Sequence, residues 1–136
     1  MKNIRASFKG VTDKDKENFK ESSCLLTISV GQEYHEGERF AATVELINQH
    51  FDACTISIYD SLQRYTMALN SNQDPHDFHF LAATEGSLWL KRNKEYLKKI
   101  NNLKAVYRWD MWLKHSNFVT AHPITHKNIE NISKKA

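Results

Sequence analysis

Glycine and proline are scarce in this 136-residue chain, at four and two residues. So few turn formers exclude an all-β architecture built on many tight hairpins, and they exclude a Pro/Gly-rich disordered tract. Cysteine is nearly missing as well. Cys24 and Cys54 are too few for a disulfide framework and read as unbridged core thiols of a reducing, cytoplasmic setting. No apolar run approaches the roughly 20 residues that span a bilayer. Lys2 and Arg5 near the start are followed by no apolar stretch of a secretory leader. No Gly-rich loop is present to cradle phosphates, so neither a P-loop nor a dinucleotide site is supported, and no cofactor is expected.

What remains is an ordinary globular composition of 40% hydrophobic and 26% charged residues, enough for one core and not for two. A single domain over residues 1–136 follows. The net charge of +3 permits an acidic partner such as RNA without demanding one.

Along the chain, residues 12–21 (TDKDKENFKE) predict a short polar helix capped by Thr12. Residues 24–31 (CLLTISVG) form a continuous apolar run with β-branched members, the pattern of a buried parallel strand. A helix is predicted from Glu36 to His50, with Phe40, Val44, Ile47 and Phe51 on its buried face. TISIYD, residues 55–60, reads as a second strand, and residues 61–69 as a short helix ended by the turn-rich NSNQDP. The pattern from His76 to Ile100 is a long helix, with Ala82, Trp89, Tyr96, Leu97 and Ile100 facing inward. Gly86 within it costs about 1 kcal/mol relative to alanine. LKAVYRW, residues 103–109, reads as a third strand, and Asp110 is expected to cap a further helix. From Asn117 onward the chain is polar and weakly patterned. Strands alternating with helices require parallel strands and right-handed crossovers. The fold class is therefore α/β: a Rossmann-like open parallel sheet with helices on both faces.

Ligands of such sheets bind at the carboxyl ends of the strands. Ser29 ends the first strand there, ahead of a loop and a helix. Thr27-Ile28-Ser29-Val30-Gly31 is close to the G-x-S-x-G elbow of α/β-hydrolases, with Thr27 in place of the first glycine. A serine hydrolase is one alternative, although 136 residues leave little room for its larger sheet. On the long helix, Lys91, Arg92, Lys94, Lys98 and Lys99 crowd into nine residues, and Lys91, Lys94 and Lys98 share one stripe. That stripe suits phosphate contact, and equally suits a solvated helix end. His76 and His79 lack partners for a metal site and read as helix-start residues, and His122 and His126 are equally unsupported. Trp89, Trp109 and Trp112 read as core or edge-of-core.

Four segments, in order, resemble the tRNA-dependent cyclodipeptide synthases. ISVGQEYHEGERF (28–40) is similar to that family's strand-then-loop segment, with Ser29 at the nucleophile position, Gly31 at the glycine and Tyr34 at the tyrosine. FDACTISIYDSLQRYTMAL (51–69) resembles its second strand, ending in an aspartate, and Asp60, Arg64 and Tyr65 fit. EGSLWLKRNKEYL (85–97) resembles its G-x-x-W-L-x-R-N stretch, and VYRWDMWLKHSNF (106–118) its R-W-D-x-W-L segment.

The resemblance implies a fold like the catalytic domain of class I aminoacyl-tRNA synthetases, without an ATP site. It implies two aminoacyl-tRNAs as substrates and a diketopiperazine product, formed through an aminoacyl ester on Ser29. Leu25, Thr27, Gly31, Gln32, Tyr34, Ser57, Tyr59 and Trp109 would line the aminoacyl site, and Lys91, Arg92, Lys94, Lys98 and Lys99 would contact tRNA. Thr27 stands where the family often has glycine, and Gln32 where it often has asparagine. The family's later Tyr-x-x-x-Glu helix, which holds the substrate amine, has no counterpart before Ala136. The expectation is a chain incomplete at its C-terminus. It would be an enzyme fragment, or else a non-catalytic homologue that binds tRNA or a partner, with self-association through the incomplete sheet.

Overall fold

A computed structural model describes residues 4–114. The elements run α1 (Asp13–Phe19), β1 (Ser23–Ser29), α2 (Gly37–His50), β2 (Ala53–Tyr59), α3 (Arg64–Ala68), α4 (His79–Leu97), β3 (Leu103–Arg108) and α5 (Trp109–Leu113). Three short 3₁₀ turns, Glu33–His35, Ser61–Gln63 and Pro75–Phe78, sit in the connections. The three strands form one parallel sheet in the order β1-β2-β3.

That order decides where the helices go. Two right-handed crossovers stepping in the same direction place both crossover helices on the same face. Here α2 and α4 meet there, with the rings of Phe40 and Trp89 5.2 Å apart at 67°. Alternate strand residues, Ile28 from β1 and Cys54, Ile56 and Ile58 from β2, point into this layer and meet Phe40, Val44, Ile47, Trp89, Leu97 and Ile100. Phe40, Trp89, Ile28, Ile56 and Ile58 are fully buried. The opposite face carries α5, whose Trp112 indole donates to Ser57 Oγ at 2.7 Å and packs on the Tyr107 ring at 4.7 Å. Ser57 and Tyr107 are themselves register partners on β2 and β3.

The predicted elements are all present, with moved ends. Thr12 caps α1 in a full capping box with Asp15. β1 stops at Ser29, as expected, and Gly31 in the turn that follows takes φ +95°, a conformation glycine adopts without strain. β2 begins two residues early, at Ala53, and β3 ends at Arg108. α4 starts at His79, since Pro75 opens a tighter turn that Asp74 caps through the His76 N–H. Asp110 is not the cap of α5. It lies inside the first turn, and its carboxylate is taken by Ser61 and His79.

Cys24 and Cys54 face each other across β1 and β2 as free thiols. The adjacent Cys24 thiol, reinforced by burial, pushes the Cys54 thiol far up, and the Cys54 neighbour lowers Cys24. Phe8, Phe19 and Phe51 form a ring cluster that ties the start of the chain to the end of α2, with Phe19 and Phe51 stacked at 4.7 Å.

Candidate active site

Ile28 is locked in the core, so the next residue, Ser29, must point to the opposite face at the carboxyl end of β1. The loop that follows is held in place by α4. The Ser29 backbone N–H donates to His35 Nδ1 at 2.9 Å, and the His35 carbonyl accepts from the buried Trp89 indole at 2.8 Å. The Glu36 carboxylate accepts from Arg92 at 2.7 Å and from Asn93 at 3.0 Å. Asn93 Oδ1 in turn accepts from the Gly37 N–H. Three of the loop's side-chain anchors therefore come from one short stretch of α4, Trp89, Arg92 and Asn93.

Burial holds His35 below the ordinary histidine range. The neutral ring is also the only form whose Nδ1 can accept the Ser29 N–H. Partial burial acts to raise the Glu36 carboxyl, but the bonds from Arg92 and Asn93 outweigh it and hold it below the usual carboxylate range. The Ser29 hydroxyl itself makes no hydrogen bond among the described residues.

The register shows which expected site residues meet. Thr27 pairs with Ser57, and Ser29 with Tyr59, so these four share one face with Leu25. Trp109 closes against Tyr59, ring to ring at 5.5 Å and 87°. Leu25 is 58% exposed, whereas Ser57 is buried and engaged by Trp112. Gly31 supplies the turn, and Gln32 closes it by donating its N–H to the Ser29 carbonyl at 3.3 Å. Tyr34 is exposed, with its ring edge against His35 at 4.4 Å.

The basic ridge divides. Lys91 and Lys94 are exposed on α4. Lys98 pairs with Glu95 at 3.2 Å, and Lys99 lies 5.8 Å from the Tyr96 ring centre. Arg92 turns to Glu36 and the loop after β1.

A second cluster lies beyond β2 and β3. Asp60, 2% exposed, accepts from Arg108 Nε at 2.6 Å and from the Trp109 N–H at 3.2 Å. Arg108 also donates to Ser87 Oγ and to the Ala83 carbonyl. A Cβ at Gly86 would stand 2.4 Å from the Asp60 Cβ, so the glycine is what lets α4 pass. Asp110 accepts from Ser61 at 2.6 Å and meets His79 Nε2 at 2.8 Å. Burial acts to raise the Asp110 carboxyl, but these two bonds outweigh it and hold it low. No group of three metal-ligating side chains occurs among the described residues. His122 and His126 lie outside them.

Sequence reasoning missed His35, Glu36 and Asn93. Only Asn93 left a signal, as a polar residue at an inward position of an otherwise apolar helix face.

The parallel sheet with a loop-anchored serine at its carboxyl edge defines an α/β domain of the Rossmann-like class. Its relatives are specific. A cyclodipeptide synthase from Fluoribacter dumoffii matches at 38% identity and a TM-score of 0.82, over 93% of this chain and 57% of that one. A Mycobacterium tuberculosis protein, described as showing that cyclodipeptide synthetases are related to type I tRNA synthetases, matches at 11% identity and a TM-score of 0.65, over 91% of this chain and 55% of that one. A synthase from Staphylococcus haemolyticus matches at 13% identity and a TM-score of 0.61, over 90% of this chain and 56% of that one. The last two likenesses are of fold. Neither a family model nor a curated protein sequence matches. The chain belongs to the cyclodipeptide synthase family, and it spans a little over half the length of the relatives it matches.

Proposed function

We propose that this chain carries the aminoacyl-accepting step of cyclodipeptide synthesis, with Ser29 as nucleophile. The observation that carries this reading is the placement of Ser29 at the carboxyl edge of the sheet, its N–H fixed by His35 and its hydroxyl unengaged by any described residue. The Ser29 oxygen attacks the ester carbonyl of an aminoacyl-tRNA. A new ester forms on Ser29, the bond to the terminal ribose breaks, and the serine proton leaves with the ribose oxygen. Ester is exchanged for ester, so little driving force and no cofactor is needed. The amine of a second aminoacyl-tRNA then attacks the Ser29 ester, forming a peptide bond and returning its proton to the Ser29 oxygen, and the dipeptide's free amine attacks its own ester, closing the diketopiperazine and releasing the second tRNA with a proton on its ribose oxygen.

In this reading Leu25, Thr27, Tyr59 and Trp109 surround the first aminoacyl group, while Gly31, Gln32 and Tyr34 shape the loop beside it. Ser57 contributes by holding Trp112. Lys91, Lys94, Lys98 and Lys99 meet the tRNA backbone, and Arg92 serves the loop more directly than the RNA. A cytoplasmic setting suits such substrates.

The test is direct. Incubation with labelled aminoacyl-tRNA, followed by precipitation, should leave label on the protein and none on Ser29→Ala. Label that persists in that variant, or none in either, would reject Ser29 as nucleophile.

One observation favours a second reading, in which the chain binds tRNA without turnover. Among the described residues, those of β1 and β2 sharing Ser29's face, Leu25, Thr27, Thr55, Ser57 and Tyr59, include no carboxylate to hold a substrate amine. This reading predicts salt-sensitive tRNA affinity with no product and no labelled serine.

A further inference from the structure

We infer that Asp60 and Arg108 are positioning residues for the aminoacyl site, acting through Trp109; the inference rests on the function proposed above. The Asp60 carboxylate is divided between two partners. Oδ2 takes Arg108 Nε at 2.6 Å, and Oδ1 takes the Trp109 backbone N–H at 3.2 Å. Trp109 is the residue whose ring meets Tyr59, and Tyr59 is the register partner of Ser29. A carboxylate buried to 2% exposure is therefore linked, through Trp109, to the nucleophile's strand neighbour.

A buried ion pair adds little net stability, because desolvation offsets the attraction. What this one fixes is direction. The planar guanidinium spends its remaining bonds on α4, at Ser87 Oγ (3.1 Å) and the Ala83 carbonyl (2.6 Å), and α4 approaches closely enough that only glycine fits at position 86. The chain's turn from β3 into α5, which sets the angle of the Trp109 ring, is thereby keyed to the helix that carries the basic ridge. Neither Asp60 nor Arg108 need touch substrate for this.

The test is a double-mutant cycle on the full chain between Asp60→Asn and Trp109→Phe, reading Ser29 esterification from tRNAs charged with a bulky and with a small amino acid. Asp60→Asn should shift the bulky-to-small rate ratio at least fivefold, and less than twofold once Trp109 is phenylalanine. A general loss of structure would slow both substrates alike. Equal slowing, or an undiminished shift in the Trp109→Phe background, would overturn the inference. Amide exchange supplies an arm independent of activity: the Trp109 N–H should exchange at least tenfold faster in Asp60→Asn while Ile28 is unchanged. Unchanged exchange at Trp109 would overturn it as well. Should Asp60→Asn not fold, Arg108→Lys, which keeps the charge but loses the fork, takes its place in both arms. A wild-type chain that accepts no aminoacyl group defeats the proposed function, and the exchange arm then decides alone whether Asp60 holds Trp109.

Discussion

The backbone N–H of Ser29 donates to Nδ1 of His35, six residues further on, across 2.9 Å. The bond closes the loop after β1 on itself and makes the serine's orientation depend on a neutral imidazole. Burial already lowers the affinity of His35 for a proton. Between that lowered value and the ordinary 6.5, an unfolded chain takes up a proton that the folded chain refuses. Stability contributed by this residue is therefore intact above pH 6.5 and falls as pH drops below it. Thermal melts of wild type and His35→Gln should diverge at neutral pH and converge in mild acid. Curves that stay parallel would deny His35 this role.

Trp89→Phe keeps the ring and removes the indole donor. It should cost about 1 kcal/mol, the usual net worth of one hydrogen bond, plus any loss of packing. Trp89→Ala should cost roughly 3–5 kcal/mol. Denaturant melts measure both. Because the lost bond holds His35, Trp89→Phe should also loosen Ser29, seen as faster amide exchange there. Exchange at Ser29 equal to wild type would uncouple α4 from the loop.

Gly86→Ala separates two explanations by sign. Helix propensity alone favours alanine by about 1 kcal/mol. The new methyl would meet Asp60 at 2.4 Å from its Cβ, which buried packing does not tolerate. A lowered melting temperature is expected, and a raised one would show that α4 does not press against Asp60.

For the basic ridge, changing Lys91, Lys94 and Lys98 together to Glu should weaken tRNA binding at least tenfold near 100 mM salt. It should also flatten the salt dependence, by about 0.7–0.9 in log–log slope for each phosphate no longer neutralised. Arg92→Glu should instead damage the loop after β1, since it sets two carboxylates together at Glu36. Salt titrations of tRNA affinity distinguish the two. An identical flattening in both variants would place Arg92 on the RNA after all.

Leu25 stands 58% exposed in mid-strand on the face opposite α2 and α4. Self-association through that face should appear in sedimentation as a concentration-dependent species that Leu25→Glu removes. A monomer at every concentration would contradict it.

Much of this is legible in the residues. Periodicity alone locates the buried faces of α2 and α4, because Phe40, Val44, Ile47, Trp89 and Leu97 obey helical spacing whatever surrounds them. Ser29 falls at the sheet edge for the same reason: the apolar run before it must be strand. The anchors of its loop cannot be read. His35 reaches Ser29, and Asn93 and Arg92 reach Glu36, across 6 to 57 residues of sequence, and no local pattern encodes a pairing over that distance. Asp110 departs from expectation for a similar reason. As an aspartate at a strand-to-helix junction it suits a cap, but the tertiary bonds from Ser61 and His79 claim it first.

The order β1-β2-β3 has an outcome for delivery. Among the described residues, β1 has a neighbour on one side only, and an edge strand can pair with another extended segment. A segment docked there in parallel would finish level with Ser29, and hydrogen-bond pairing would set its depth to a fraction of one residue's rise, about 3.3 Å.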